Sequence, residues 1–335
     1  EKETSQPVLT LSTKTVKVNR KTAGETTSIS IKSISQSNAM LSDILCEYAP
    51  ATSKINPDSN VKLQYNRDTN KLEAKVEGVP QGNTYKFTCT PVYDGVVSKQ
   101  TIPVTVTVYD KEPAATVSAK GSIDVLNRET SAVTYTIKKS NFVDEIESVS
   151  FIAPAKLSAS ILDGTEYFNS PVLNENGTVS VSAKEDVNFT KGRKYAFRLV
   201  LSLKESGKVV TTKDIVITPK QSVVKLSASG SPVFYTFVNN GNNKKAITLQ
   251  NNTGKIEKVE LNTAAWKKIP SGITAEIGED GQLKAISFNG DSSVKKGTYT
   301  LTFDVYYHGQ MWEAPTSKKA SYEKPVVYKL KVTVK

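Results

Sequence analysis

Short runs in which apolar and polar residues alternate extend along the whole chain. Examples are residues 8–11 (Val-Leu-Thr-Leu), 104–108 (Val-Thr-Val-Thr-Val) and 330–334 (Leu-Lys-Val-Thr-Val). Because successive side chains of a strand point to opposite faces of a sheet, this alternation predicts strands with one buried face and one face in water. No segment has a convincing helical period, although residues 260–268 could hold a single helical turn. The pattern therefore predicts an all-β chain.

The strand pattern repeats three times along the chain. A tyrosine strand led by lysine or glycine places Tyr85, Tyr195 and Tyr299 in equivalent positions, at a period of roughly 105–110 residues. Each unit contains about seven predicted strands with frequent turn signals, as in an immunoglobulin-like sandwich. We therefore expect three tandem Ig-like β-sandwich domains at residues 1–111, 112–219 and 220–335. The linkers at 109–113 and 218–220 are short and contain proline, which favours a semi-rigid, elongated arrangement.

Turn residues mark a hairpin in the middle of each unit. Asn176-Gly177 and Asp280-Gly281 lie between alternating runs, and residues 68–70 (Asp-Thr-Asn) occupy the equivalent place in the first unit. Asn-Gly and Asp-Gly pairs favour type I′ turns, which need positive φ at both central residues.

The net charge of +11 comes almost entirely from lysine, in scattered pairs. Nucleic-acid readers use arginine forks and clustered basic stripes, so we expect no nucleic-acid partner. The lysines are better explained as solvated strand edges and turns, with weak attraction to anionic cell-surface polymers as the alternative. No apolar run approaches the roughly 20 residues that a spanning helix needs, so no membrane insertion of this segment is predicted.

The strand at residues 297–303 (Gly-Thr-Tyr-Thr-Leu-Thr-Phe) and its two counterparts resemble the penultimate strand of bacterial Ig-like repeats. Such repeats are strung together in Gram-positive surface proteins and lie beside modules of secreted carbohydrate-active enzymes. The resemblance implies an Ig-like fold and an extracellular, secreted or surface-attached setting, and it supplies no functional residue. We expect a monomeric segment of a longer parent protein, with its other domains, a host glycan or a host surface protein as partners.

Several features argue against an enzyme. His308 is the only histidine, so the chain offers no His-pair metal site and no ordinary Ser–His–Asp triad. The densest acidic patch, Asp144, Glu145 and Glu147, is interpreted as a solvated turn. The first linker offers only Asp110 and Glu112 to a calcium ion, which needs several convergent ligands. We expect no catalytic residue, no metal and no cofactor, and a stalk or adhesin segment that spaces or presents a binding module.

One aromatic segment departs from the repeat. It contains Tyr306, Tyr307, His308 and Trp312, where the other units have polar turns. These residues could stack on a sugar ring or form an interface hot spot. They could equally pack against a neighbouring domain or cover their own sheet. A carbohydrate-binding segment of a secreted glycan-degrading system is therefore the alternative function. Trp266 is interpreted as a core residue.

The two cysteines, Cys46 and Cys89, both fall in the first unit. Cys89 aligns with Leu199 and Phe303, and Cys46 shares a strand face with Ile44 and Tyr48, so both thiols are expected in the core. A disulfide between them is one alternative, and two free core cysteines are the other. Catalytic or metal-binding thiols are not expected.

Overall fold

The computed structural model describes residues 5–49, 59–80, 82–117, 121–128, 131–236, 243–265, 269, 271–289, 294–308, 311–313, 320–322 and 324–335, with only the backbone described at 311–313 and 320–322. Within these residues the helical elements are short 3-10 turns, at Arg20–Thr22, Val125–Asn127, Gly164–Glu166 and Thr263–Ala265. The last of these lies within residues 260–268, the segment that could hold a single helical turn. Everything else that is regular is strand, and the all-β prediction is confirmed.

The first group of strands forms two packed sheets. The strands are β1 (Leu9–Leu11), β2 (Thr15–Asn19), β3 (Thr26–Ile34), β4 (Leu41–Tyr48), β5 (Val61–Asn66), β6 (Lys71–Val76), β7 (Thr84–Tyr93), β8 (Val96–Val97) and β9 (Ile102–Tyr109). One sheet has the order β1-β3-β6-β5 and the other β2-β9-β7-β4, with β8 paired to β7. β2 runs parallel to β9, and the other pairs are antiparallel. The opening strand is thus divided, with β1 in one sheet and β2 in the other. This division, together with the Greek-key order of the sheets, is the immunoglobulin arrangement.

The second group repeats that order with additions. Its strands are β10 (Ala114–Val117), β11 (Gly121–Asp124), β12 (Ala132–Tyr135), β13 (Ile137–Ser140), β14 (Ile146–Ile152), β15 (Ile161–Asp163), β16 (Val172–Leu173), β17 (Val179–Ser182), β18 (Lys194–Leu203), β19 (Val209–Thr211) and β20 (Ile215–Lys220). The sheet β11-β20-β18-β14 is accompanied by the two-stranded sheet β10-β13 and the three-stranded sheet β12-β17-β16. Again the short strand β11 runs parallel to the last strand, β20.

The third group has the same plan. Its strands are β21 (Leu226–Ala228), β22 (Val233–Phe234), β23 (Asn243–Ala246), β24 (Leu249–Asn251), β25 (Ile256–Leu261), β26 (Ile273–Ile277), β27 (Leu283–Phe288), β28 (Gly297–Tyr307), β29 (Met311–Glu313), β30 (Ala320–Tyr322) and β31 (Val326–Val334). The sheet β22-β31-β28-β25 accompanies β21-β24 and β23-β27-β26. The alternating segments at residues 134–137 and 246–249 are each interrupted, so that β12 and β13, and likewise β23 and β24, pair with different neighbours. We refer below to β1–β9, β10–β20 and β21–β31 as the first, second and third sandwich; the division of the chain into three domains and their residue limits remain predictions.

Alternating residues of the central strands fill the cores. In β9, Ile102, Val104, Val106 and Val108 are all buried while the residues between them face outward. The buried apolar residues of the first sandwich form a cluster of their own. Those of the second and third sandwiches form one contiguous cluster, which includes Leu126 and Tyr307. Apolar packing therefore continues from the second sandwich into the third.

The mid-unit hairpins lie where they were predicted, but the predicted turn type is wrong. Gly177 and Gly281 have positive φ (79° and 73°), whereas Asn176 and Asp280 do not. In each turn the glycine N–H donates to the carbonyl three residues earlier, at 2.9 Å. The turn is therefore not a type I′ turn but a β-turn followed by a single left-handed residue. This extra residue makes the hairpin loop longer than the two-residue loop of a type I′ turn. In the first sandwich Asn70 fills that left-handed position, with a φ of 55°.

Candidate functional site

The aromatic segment begins on the last residues of β28, and its residues divide between the core and the surface. Phe303, Val305 and Tyr307 point inward with full burial, as alternation along a strand requires. Burial raises the pKa of the Tyr307 phenol to about 12. The interpretation of Tyr307 as a ligand-contacting residue is therefore wrong, because its side chain is part of the core that joins the second and third sandwiches.

The two neighbours of Tyr307 are more accessible. Tyr306 is half-buried, and the ammonium group of Lys258 lies 4.8 Å from its ring centre. His308 is exposed, and its backbone N–H donates to the Lys255 carbonyl at 2.9 Å. The backbone of Trp312 pairs with Ser321 in the β29–β30 hairpin. The side chain of Trp312, and Trp266 as a whole, lie outside the described residues, so their predicted roles stay predictions.

An open cavity of about 600 Å³ lies beside this segment. Its lining is mixed in charge and includes Lys255, Glu257, Asp280, Gln282 and His308. Over the part of the chain with described side chains, no group of three or more His, Cys, Asp or Glu residues could hold a metal ion. The residues around the cavity include no cysteine or serine nucleophile beside His308, and they form no pattern that identifies a reaction.

Several buried side-chain hydrogen bonds hold the contact between the first and second sandwiches, which we call the first junction. Asn19 ends β2 and is 1% exposed. Its side-chain amide donates to the carbonyls of Lys111 (2.6 Å) and Asn141 (2.5 Å), and its side-chain oxygen accepts from the Lys111 N–H (3.2 Å). The same oxygen caps the Arg20–Thr22 turn by accepting from Lys21 N–H. One side chain thus ties the first sandwich to the linker and to the second sandwich.

Glu25 is the second element of the first junction. It is 1% exposed, and its carboxylate accepts from the backbone N–H groups of Val143 and Asp144, the latter at 3.0 Å. The Thr22 hydroxyl donates to its other oxygen. Hydrogen bonds to an ionised acceptor are stronger than neutral ones, which offsets the cost of burying the carboxylate. Glu25 therefore holds the turn before β14 against the first sandwich.

Asp144, interpreted from sequence as part of a solvated turn, is only 3% exposed, and that interpretation is wrong. Its carboxylate accepts from the N–H groups of Glu205 (2.8 Å) and Ser206 (2.9 Å) and from the Ser206 hydroxyl (2.9 Å). Asp144 thereby orders the turn between β18 and β19. That turn also faces the first sandwich, since a Cβ built on Gly24 would lie 3.0 Å from the Glu205 carbonyl oxygen.

The acidic residues of the first linker pair with basic side chains. Arg20 lies 2.5 Å from Asp110, and Lys21 lies 3.2 Å from Glu112. The hydrogen bond from Arg20 lowers the pKa of Asp110. These pairs are exposed, so each contributes little to stability.

The contact between the second and third sandwiches, which we call the second junction, also uses a polar residue at the end of a strand to bind the following linker. Asn19 pairs with Tyr109 in the first sandwich, and Asp124 pairs with Lys220 in the second. Asp124 caps its own 3-10 turn by accepting from the Leu126 N–H (3.1 Å). It also accepts from the N–H of Ser222 (3.2 Å), which lies two residues beyond Lys220. Asn19 accepts in the same way from Lys111, two residues beyond Tyr109. Burial alone raises the pKa of Asp124, but the hydrogen bonds from Ser222, Asn127 and Leu126 outweigh it, so the pKa is lowered.

The second junction also contains a direct contact between the two sandwiches. The Asn127 side chain donates to the Thr253 hydroxyl and accepts from the Gly254 N–H at 2.8 Å. Gly254 has a φ of 66°, and a Cβ at this position would lie 2.8 Å from the Leu126 carbonyl oxygen and 3.3 Å from the Tyr307 ring. Only a glycine fits between Leu126 and Tyr307 at this separation.

The two cysteines face each other within one sheet. Cys46 on β4 lies directly opposite Cys89 on β7, and their sulfur atoms are 2.6 Å apart. Cys89 is fully buried and Cys46 is half-buried. The hydrogen bond with Cys89, followed by burial, raises the pKa of the Cys46 thiol well above its usual range. The expectation that both side chains belong to the core is met for Cys89 and in part for Cys46.

Neither the search of protein-family models nor that of curated proteins found a match for this chain. Solved structures with tandem sandwich domains do resemble it. Drosophila N-cadherin EC1-3 is 11% identical with a TM-score of 0.25, covering 96% of this chain and 98% of that one. The fibronectin(III)-like modules of Clostridium thermocellum CbhA are 14% identical with a TM-score of 0.22, covering 64% and 95%. The eight N-terminal Ig domains of Down Syndrome Cell Adhesion Molecule are 11% identical with a TM-score of 0.23; the match covers 98% of this chain but only 42% of that structure. The fold assignment rests on the strand pairing described above.

The four described 3-10 turns are each three residues long, and none of the described helices has the length and apolar character needed to cross a membrane.

Sequence reasoning missed both junctions. Their partners are far apart in the chain: Asn19 and Lys111 are separated by 92 positions, Glu25 and Val143 by 118, and Asn127 and Gly254 by 127. One local signal was available. Asn19 and Asp124 both end the short second strand of their unit, and polar capping residues of this kind commonly precede a turn.

Proposed function

We propose that this chain is a non-enzymatic, extracellular stalk segment that holds its sandwiches in a fixed relation and so spaces or presents a binding module. The observation that carries the proposal is the repeated junction. Asn19 and Asp124, at equivalent strand ends, each bind the following linker. A spacer requires defined geometry between its units, and contacts of this kind support the proposal.

The buried polar contacts explain why the units would not move freely. Domains joined by small interfaces normally move relative to one another. At the first junction, however, separation would expose Glu25 and leave the N–H groups of Val143 and Asp144 without their acceptor. At the second, it would expose Leu126 and part of Tyr307, which are 3% and 0% exposed here. Opening the first junction would exchange these charge-assisted hydrogen bonds for contacts with water, at a net cost of about 1.5–3 kcal/mol each, and opening the second would expose apolar surface.

The setting and partners belong to the same proposal. A secreted or surface-attached bacterial protein, with a host glycan or host surface protein as partner of the presented module, is consistent with the lysine-rich, Ig-like repeats. The alternative, carbohydrate binding by the aromatic segment, is weakened by the burial of Tyr307, which leaves Tyr306, His308 and Trp312 as its candidates.

A pair of glycine substitutions tests the fixed geometry. Gly254 and Gly207 have the same φ of 66°, so alanine strains the backbone equally at both, by about 1–2 kcal/mol. Nothing lies within 4 Å of a Cβ at Gly207, whereas a Cβ at Gly254 meets Leu126. We expect Gly254→Ala to cost roughly 1–3 kcal/mol more than Gly207→Ala, because it overpacks the junction.

Small-angle X-ray scattering and thermal unfolding of the whole chain provide the readouts. The scattering profile should change for Gly254→Ala and stay that of the unmodified protein for Gly207→Ala. Equal stability losses together with unchanged profiles for both variants would contradict a fixed second junction.

A further inference from the structure

We propose that Cys46 and Cys89 form a disulfide that joins β4 to β7 within one sheet of the first sandwich. The inference is independent of the stalk function, since it concerns the interior of a single sandwich. Its starting point is the strand register, which sets the two residues directly opposite each other with sulfur atoms in contact.

The hydrogen-bond pattern shows which kind of cross-strand pair this is. The Ala49 N–H donates to the Lys86 carbonyl at 2.9 Å, so residues 49 and 86 form a hydrogen-bonded pair. Pair types alternate along an antiparallel ladder, which makes Cys46 and Cys89 a non-hydrogen-bonded pair. Pro91, which has no N–H to donate, lies opposite Ile44 in the same class of pair, as this assignment requires.

The geometry of such a pair suits a disulfide. Cα atoms of a non-hydrogen-bonded pair lie about 4.5 Å apart, within the roughly 4.4–6.8 Å range that disulfides span. The side chains of this pair type also approach most closely. Cys46 and Cys89 can therefore be joined without moving the two strands.

The other two sandwiches show what ordinarily fills this position. Phe151 lies opposite Leu199 in the second, and Leu261 lies opposite Phe303 in the third. In all three sandwiches the β7, β18 or β28 member is fully buried and its partner half-buried. Large apolar pairs stabilise the site in two sandwiches, and in the first a much smaller pair of sulfur side chains stands in their place. A covalent bond would compensate for the lost packing.

The chemistry requires an oxidant, and a small-molecule disulfide such as oxidised glutathione suffices. One cysteine thiolate attacks the glutathione disulfide and releases the first glutathione thiolate. The second cysteine then attacks the mixed disulfide and releases the second. Cys46 and Cys89 are oxidised, the two glutathione sulfurs are reduced, and the two cysteine protons pass to the glutathione thiolates. Because burial disfavours the thiolate in the folded sandwich, the exchange takes place in the unfolded or locally opened chain.

The test is oxidative refolding of the full chain in a mixture of reduced and oxidised glutathione, followed by denaturation, alkylation with iodoacetamide and intact-mass measurement. We expect a monomer in which neither cysteine is alkylated, and peptide mapping that finds Cys46 linked to Cys89. The unfolding transition of the first sandwich should rise by about 10 °C over that of the protein reduced with dithiothreitol, while the other transitions stay in place.

Cys46→Ala is the matched control. It retains Cys89, and its unfolding should be the same with and without reductant. Two alkylated cysteines after oxidative refolding, or disulfide-linked dimers in place of the internal bond, would overturn the proposal. Peptide mapping of the unmodified chain decides the matter even if the variant fails to fold.

Discussion

Replacing Tyr307 by alanine is expected to destabilise the third sandwich by about 3–5 kcal/mol, the usual cost of removing a buried aromatic ring. Tyr307 is fully buried and lies in the cluster shared by the second and third sandwiches. The substitution opens a cavity beside Gly254 and removes packing from the second junction. Urea denaturation followed by tryptophan fluorescence, with calorimetry to assign the transition, measures the loss.

Tyr306→Ala is the matched control, because it removes the same ring from the adjacent, half-buried position. Its expected effect is below about 1.5 kcal/mol, in line with partial burial beside Lys258. Similar losses for the two variants would contradict the placement of Tyr307 in the core. A Tyr307→Ala variant of unchanged stability would instead restore Tyr307 as a surface residue available to a ligand.

The second large effect is expected at the first junction. Glu25→Ala removes the acceptor of two backbone N–H groups and of the Thr22 hydroxyl. The Asp144 N–H and the Thr22 hydroxyl are buried donors, and each costs about 1–3 kcal/mol when left unsatisfied, so we expect a loss of roughly 2–4 kcal/mol. Hydrogen exchange localises the effect, because protection of the Val143 and Asp144 amides should fall by at least about tenfold, the equivalent of 1.4 kcal/mol.

Two further variants serve as comparisons for Glu25→Ala: one removes only the charge of Glu25, and the other removes an exposed glutamate. Glu25→Gln keeps an oxygen that can accept from Val143 and Asp144, and should lose less than Glu25→Ala. Glu47→Ala alters an exposed glutamate of β4 and should stay within about 0.5 kcal/mol of the unmodified protein. If Glu25→Ala behaves like Glu47→Ala, Glu25 does not hold the two sandwiches together.

Strand alternation predicted much of the fold because burial follows directly from it. The inward positions of β9, and the alignment of Cys89 with Leu199 and Phe303, are core positions in the structure. The same alternation places Tyr307 inward after Phe303 and Val305, so its burial could have been predicted; its position near a hairpin obscured this. The type I′ turns were predicted wrongly because the turn type depends on loop length as well as on the Asn-Gly or Asp-Gly pair.

The junctions could not be predicted in the same way. Asp144 is an acidic residue in a connection, and sequence alone favours a solvated turn for it. Its burial depends on Glu205 and Ser206, about 60 positions further along the chain, and on the approach of the first sandwich. Contacts of this kind follow from how the sandwiches are placed relative to one another, and the capping residues Asn19 and Asp124 are the one local signal that points to them.

The most direct test of a fixed arrangement is the measurement of residual dipolar couplings for the backbone amides of the whole, deuterated chain in a dilute aligned medium. Couplings from the three sandwiches should fit a single alignment tensor when calculated from the coordinates of the whole structure. Three tensors of different magnitude would show that the sandwiches reorient independently, and the chain would then be a flexible tether instead of a stalk of defined geometry.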